Sequence, residues 1–347
     1  MTTATMLPSA VGDLVTPTAR LVLPAGTDRS EWLAARRFGI GASDVAAILD
    51  LADFGTPRAV FLDKLGQLQD SAGDAAHWGN VMEGPIAKEW ERRNRSVVED
   101  IGLVAHAEDP VMLTTLDRRV VECPLPETRH QVCALEIKCR SAFKGGRWHD
   151  GAPDDVLAQL LWQLAVTGLD HVHYAVLVGG NDYRQGVVRA AAHQATMQDI
   201  VSGCRAWWDR HVVPGVLPPA SDNAARELEM YKRLHPNGVG IVRLDDDPDV
   251  LTLLRNYETA RLAEKAAEQQ KDAAQVELRR LLGDAQFAYL DNQLAYAANP
   301  TDGRIRTNYE RLAERWPDAY ADCVSYGDPG TRFDVDKAYR LKPTKES

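Results

Sequence analysis

From Val132 to Cys139 the side chains alternate strictly, and a period of two can be satisfied only by an extended strand. Leu135, Ile137 and Cys139 fall on one face, and Ala134, Glu136 and Lys138 on the other. Asp154–Thr167 then reads as a strongly apolar helix closed by Gly168. Val172–Val178 reads as a buried strand ended by Gly179-Gly180, with Gln185–Arg189 expected to pair with it. Ala192–Val212 is expected to be the last helix of this block. Strands interleaved with helices predict an α/β fold whose central mixed sheet is flanked by helices.

Upstream, Ser30–Arg37 has helical character, with Ser30 as N-cap and Trp32 on the apolar side, and a Gly39-Ile40-Gly41 turn follows. Ser43 or Asp44 is placed to cap a short helix from Val45 to Leu51, and Thr56-Pro57 opens another that ends at Gly66. Trp78–Arg93 has helical spacing with a potential kink at Pro85. Short β-type runs occur at Val97–Val98, Val111–Leu116 and Val120–Val121.

Three regions are expected. Residues 1–28, rich in Thr, Ala and Pro, read as a flexible arm, and residues 29–218 as the main folded domain. The run Val213 to Pro219 (Val-Pro-Gly-Val-Leu-Pro-Pro) marks a boundary before a mainly helical extension, 219–347. Within it, Asp247 as N-cap and Pro248 as first residue open a long Ala- and charge-rich helix, 248–282, stopped by Gly283. Unbroken, it would be roughly 50 Å long. Its apolar stripe is thin, which suits one arm of a helical hairpin or an oligomer contact. Phe287–Ala297 reads as a small hairpin around Asp291-Asn292, and the tail after Lys342 as disordered.

Composition excludes more than it identifies. No apolar run in the 347 residues approaches the roughly 20 needed to span a bilayer, and no secretory signal opens the chain. A soluble, intracellular protein without a membrane partner is expected. Cys123, Cys133, Cys139, Cys204 and Cys323 form no Cys-x-x-Cys pair, which argues against a zinc ribbon, an iron–sulfur cluster or a disulfide framework. They are expected to be reduced, partly buried thiols. His171 and His173 alternate on a strand and, with no third ligand nearby in sequence, are expected to be exposed. The net charge of −10 is awkward for a phosphate-binding protein. It leaves room for a local basic groove from Arg36, Arg37, Arg92, Arg93, Arg95, Lys138, Arg140, Lys144 and Arg147.

The chemistry-bearing pattern is Asp117, at the end of one apolar run, followed 19 residues later by Glu136-Ile137-Lys138 on the alternating strand. Two carboxylates on adjacent strands can share a hard cation, whose oxygen shell is completed by water and phosphate. A cation there lowers the pKa of a water and neutralises charge developing on phosphate, and Lys138 stands beside it to orient or deprotonate that water. An isolated Glu-x-Lys is otherwise the solvated face of an edge strand, so the surroundings decide. Glu83 lies at the margin of an apolar helical arc of Trp78, Met82, Ile86 and Trp90. Gln159 and Gln163 share one face of an otherwise apolar helix, where unpaired amides would be costly.

Those surroundings carry a resemblance. Trp32, Arg36 and Gly39-Ile40-Gly41-Ala42-Ser43-Asp44, then Gly79-Asn80-Val81-Met82-Glu83 with Pro85-Ile86-Ala87, come first. Thr115-Leu116-Asp117 and Leu135-Glu136-Ile137-Lys138 follow, and then Trp148, Pro153 and Gln159-Leu160-Leu161-Trp162-Gln163-Leu164. In order, spacing and context this series resembles the YqaJ-like viral recombinase family, which is similar to the phage lambda exonuclease within the PD-(D/E)xK nuclease superfamily. Two positions depart from the family's pattern: Arg118-Arg119 follow Asp117 where a small residue is common, and Gln163 stands where wider relatives carry an aromatic.

The resemblance implies a restriction-endonuclease-like core and magnesium-dependent digestion of one strand of duplex DNA from its 5′ end, in phage-type homologous recombination. By it, Asp117 and Glu136 are ligands to one or two Mg2+ ions (Mn2+ the alternative), with the Ile137 carbonyl as a further ligand and Glu83 supporting the metal or the water network. Lys138 positions the attacking water, Arg36 and Ser43 hold a 5′-terminal phosphate, and Gln159 and Gln163 support the site. The implied partners are double-stranded DNA ends, a single-strand annealing protein and further copies of the chain, as a trimeric ring. The implied setting is the cytoplasm of a bacterial host carrying a phage or prophage. Two other readings compete: a structure-selective or restriction-like endonuclease using the same metal site, and a non-catalytic DNA-end-binding protein.

Overall fold

The computed structural model describes residues 13–53, 55–68, 74–128, 131–235, 240–300 and 308–324. The expected disorder after Lys342 therefore lies outside the described residues. Two compact units divide the chain, Met1–His235 and Pro236–Ser347.

The first unit is organised around the alternating strand. It becomes β6 (Cys133–Arg140), the centre of a five-stranded sheet ordered β2 (Val98–Glu99), β5 (Arg118–Val120), β6, β7 (His171–Val178), β8 (Asp182–Arg189). Only β6 and β7 run parallel; their link is α5 (Asp154–Thr167), which ends at Gly168 in the left-handed conformation. The other pairs are antiparallel, so the sheet is mixed and flanked by helices, as expected. The alternation sorts the two faces. Leu135 and Ile137 pack under α4 (Asp74–Asn94) with Ile86 and Trp90, whereas Ala134 joins the larger core around α5. Pro85 lies inside α4 without ending it, and Trp78, assigned to its apolar arc, is exposed.

A second, antiparallel sheet contains β1 (Ala19–Leu23), β3 (Leu103–His106) and β4 (Leu113–Thr115). Part of the stretch read as a flexible arm is therefore a strand. Ala19 is fully buried and Leu21 pairs with Val104, so this short apolar run finds a partner 83 residues away. Beside it stand α1 (Arg29–Arg36), α2 (Ala42–Ile48) and α3 (Pro57–Lys64). The caps of α1 and α2 sit two or three residues earlier than expected. Asp28 accepts from Ser30 N at 2.8 Å, and Gly41 opens α2 with its N–H donated to Asp44 Oδ2 at 2.8 Å. At Gly39 a Cβ would lie 2.4 Å from the Val111 carbonyl oxygen, so only glycine lets the neighbouring Ile40 bridge to Met112.

The unit continues past the proline-rich run. After α6 (Gln194–Trp207) and a π-helical turn (Trp208–Val212) comes α7 (Ala224–Leu234). It buries Met230 against the core and pairs Arg226 with Asp50 at 3.0 Å. The second unit contains α8 (Val250–Leu282), the hairpin β9 (Phe287–Leu290) and β10 (Gln293–Ala297), α9 (Tyr309–Arg315) and α10 (Pro317–Cys323). Asp291 and Asn292 turn the hairpin with positive φ. Among the described residues no helix is long and apolar enough to cross a membrane.

The two strand histidines correct the sequence expectation. His171 and His173 are 1% and 3% exposed, because β7 has neighbours on both edges and α4 covers this face. Trp90 meets His173 edge-on with ring centroids 5.1 Å apart. Cys123 and Cys133, scattered in sequence, are buried beside them.

Candidate active site

Glu136 is 1% exposed on a central strand, and a carboxylate buried that deeply must be hydrogen-bonded. α5 supplies the donors. Gln159 Nε2 donates to Glu136 Oε1 and Gln163 Nε2 to Oε2, each at 2.6 Å. The i, i+4 spacing of a helix places both amides over one strand residue. Lys138, two residues along and on the same face, pairs with Oε1. The solvated-face reading of Glu-x-Lys does not describe this strand.

Asp117 closes the other side. It immediately precedes β5, whose Arg118 is registered with Leu135, and its Oδ2 accepts the Ile137 N–H at 2.7 Å. The Asp117 carboxyl is pushed well above its usual range, first by burial and then by the charge of Glu136; Glu83 adds to this, and Lys138 and the Ile137 N–H oppose it. The cluster therefore carries mutually repelling carboxylates in a partly dehydrated place. Oxygen-only donors under that repulsion suit a hard divalent cation, which would relieve it.

Asp117, Glu136, Lys138, Gln159, Glu83, Arg36 and Ser43 all line one cleft of about 540 Å³. Gln163 lies behind Glu136 and not on the cleft wall, and its Oε1 is buried without a partner. Ile137 contributes its N–H to Asp117 and its side chain to the opposite face. Glu83 reaches the cleft from α4, but its carboxylate pairs with Arg118, whose Nη1 also lies 3.2 Å from Asp100 Oδ1. Arg118, noted in the sequence only as a departure, thus forms part of the cleft wall.

At the cleft's other end Arg36 stacks over Trp32, 4.7 Å from the ring centroid, and its Nη2 donates to Ser43 Oγ at 2.7 Å. Asp44 and Lys64 stand beside this pair, and sequence reasoning assigned them no such role. Lys64 Nζ lies 2.6 Å from Asp44 Oδ2 and donates to the Arg36 carbonyl at 3.0 Å. Burial works against ionisation of Asp44, yet Lys64 and Arg36 outweigh it and hold the carboxyl below its usual range. Burial pulls Lys64 below the ordinary ammonium value, against the pull of Asp44. No local signal could pair residues 20 apart on separate helices.

The expected basic groove is only partly assembled. Arg36 and Lys138 line the cleft together with Arg29 and Arg118. Arg92 and Arg93 instead pair with Glu89, and Lys144 and Arg147 with Asp53.

Comparison with known proteins bears on this site. Over 305 residues the chain is 28% identical to the uncharacterized protein YqaJ of Bacillus subtilis (strain 168), covering 84% of this chain and 89% of that one. Among solved structures, the alkaline exonuclease LHK-Exo from Laribacter hongkongensis is 20% identical, with a TM-score of 0.42 over 53% of this chain and 94% of that one. A structure named SSO0001 is 14% identical with a TM-score of 0.33, covering 55% and 96%. The family model for the YqaJ-like viral recombinase domain matches residues 31–170, the span that holds every residue of the cluster around Glu136. Over residues 31–170 the chain is thus similar to the YqaJ-like viral recombinase domain.

Proposed function

We propose that the protein is a divalent-metal-dependent deoxyribonuclease that digests one strand of duplex DNA from the 5′ end during phage-type recombination. The observation that carries this reading is the clamp on Glu136. Two carboxamides and an ammonium fix a fully buried carboxylate beside the raised-pKa Asp117, on the wall of an open cleft. A stable fold gains nothing from such an arrangement, because burying acids together costs free energy. Strain of this kind is expected where ligands must be preorganised.

Asp117 and Glu136 are the residues that would hold Mg2+ or Mn2+, with the Ile137 carbonyl as a further donor. The cation, when bound, supplies Lewis-acid activation of water and neutralisation of phosphate charge. The chain does the rest. Gln159 and Gln163 keep the Glu136 oxygens from turning, and Lys138 holds the attacking water in line with the scissile phosphate. Arg36 and Ser43 bind the terminal 5′ phosphate, since a guanidinium held by stacking and an adjacent hydroxyl offer charge-assisted donors. The cations lining the cleft (Arg29, Arg36, Arg118, Lys138) balance its acids (Glu83, Asp100, Asp117, Glu136), so an added dication makes the cleft net positive for a polyanion. A single-strand annealing protein and further copies of this chain are the partners this role calls for.

The experiment compares linear and covalently closed circular duplexes, labelled at either 5′ or 3′ ends, with Mg2+ and with excess chelator. Metal-dependent loss of the linear form, releasing 5′-terminal nucleotides first, is expected. Cutting of the circle at a matched rate would instead make the enzyme an endonuclease, and no cutting of either would leave a DNA-end-binding protein.

A further inference from the structure

The sheet face opposite Glu136 holds a second cluster that the proposed nuclease chemistry does not use. Cys123 lies in the β5–β6 connection, Cys133 opens β6, and His171 and His173 sit on adjacent same-face positions of β7. All four are buried, and one donor atom from each lies within 4.8 Å of the others. Cys123 Sγ is 3.1 Å from His171 Nε2 and 3.6 Å from His173 Nε2. Around a tetrahedral zinc, with bonds near 2.3 Å to sulfur and 2.0–2.1 Å to nitrogen, neighbouring sulfur and nitrogen ligands stand about 3.6 Å apart. Four side chains from the β5–β6 connection, β6 and β7 thus already approach the edges of one coordination tetrahedron.

We propose that Cys123, Cys133, His171 and His173 bind a structural zinc ion that ties the β5–β6 connection to strand β7. The donor set is two sulfurs and two imidazole nitrogens, the soft and borderline ligands zinc takes, with no carboxylate among them. The site is closed: Ile86, Trp90, Val120 and Leu135 share its apolar layer and leave no place for substrate. Burial keeps both imidazoles in the neutral form that ligates, with His173 held down to about 3. It also pushes the Cys133 thiol up, so zinc must displace that thiol's proton as it binds. Position suggests what the ion does. The chain leaves Asp117, runs through β5 to Cys123, and returns at Cys133 three residues before Glu136. Fixing both ends of that connection fixes the two ligand-bearing strands relative to each other without touching the cleft.

The test is elemental analysis of the full chain, purified without added metal or chelator and dialysed against metal-free buffer. One zinc per chain is expected, retained when Asp117 and Glu136 are both changed to Ala, and lost in Cys133→Ser and in His173→Ala. Protein prepared with cobalt in place of zinc should show thiolate-to-cobalt charge transfer and tetrahedral d–d absorption, which needs no variant to fold. Zinc that stays in both ligand variants, or leaves with Asp117 and Glu136, overturns the assignment. So do bound iron, a Cys123–Cys133 disulfide in freshly purified protein, or a metal-free chain that takes up neither zinc nor cobalt. Loss of nuclease activity in Asp117→Ala with zinc intact separates this site from the proposed catalytic one.

Discussion

The two faces of strand β6 bury polar groups in opposite ways. On the α5 face Glu136 is enclosed, matched by two amides and Lys138, and it opens sideways onto a cleft with Asp117. On the α4 face Cys133 and its neighbours are sulfur and imidazole donors sealed within an apolar layer. Hard oxygen donors beside solvent suit a reaction in which ligands and water exchange. Soft donors with no exit suit an ion that never leaves. One alternating strand separates the two chemistries by a single residue of register.

Breaking the cleft face should have the largest effect. Asp117→Ala or Glu136→Ala is expected to reduce digestion of linear duplex DNA to background, measured by acid-soluble nucleotide release, while the zinc content stays unchanged. Activity in either variant would sink the two-carboxylate assignment. Lys138→Ala removes only the positioned ammonium. It is expected to lower turnover by about 10²- to 10⁴-fold, the usual worth of a group handling a proton or water, with DNA binding preserved. Near wild-type cutting would return Lys138 to a purely structural role.

Next in size is a test of where the first unit ends. A chain ending at His235 is expected to melt close to the intact protein, whereas one ending at Pro219 loses α7. Removing the buried Met230 from the core alone costs about 2–5 kcal/mol, before the Arg226–Asp50 pair is counted. Equal thermal midpoints for the two truncations would show that α7 adds nothing to that unit.

Arg36→Ala probes the far end of the cleft. A charge-assisted hydrogen bond is worth about 1.5–3 kcal/mol, so the preference for 5′-phosphorylated over 5′-hydroxyl ends should fall roughly 10- to 150-fold. Metal dependence should survive. Matched duplexes with and without the phosphate give the ratio directly, and an unchanged ratio removes Arg36 from phosphate binding.

The smallest expected effect is a pH dependence. The Asp117 carboxyl titrates above 3.8 in the folded chain, chiefly through burial and Glu136, so the folded state keeps a proton that the unfolded chain has released. Stability without divalent cation should therefore fall as pH rises from the ordinary Asp value to the raised one, and level off above it. Asp117→Asn should flatten that slope in urea titrations at stepped pH; an unaltered slope would show another group responsible.

How much was legible follows from range. The strand at 132–139, the helix at 154–167 and the hairpin turning at Asp291-Asn292 announce themselves through spacing of two, spacing of 3.6, and a dipeptide that tolerates positive φ. Asp117, Glu136 and Lys138 could be singled out because a strand's alternation and a motif's order are written locally. Gln159 and Gln163 stood out as amides on an apolar helix, a local anomaly that required a partner.

The sequence by itself determined those elements, their faces and the residue types that can hold a hard cation, because each depends on neighbours a few positions away. Only tertiary structure decided what they meet. It made Ala19–Leu23 a strand by giving it β3, and set Lys64 against Asp44. It covered His171 and His173 with α4 and drew Cys123 and Cys133 beside them, turning thiols and imidazoles 48 and 50 residues apart into one cluster. Spacing in sequence carries no information about such pairs, since burial and proximity arise only when separate strands share a sheet and a helix closes over it.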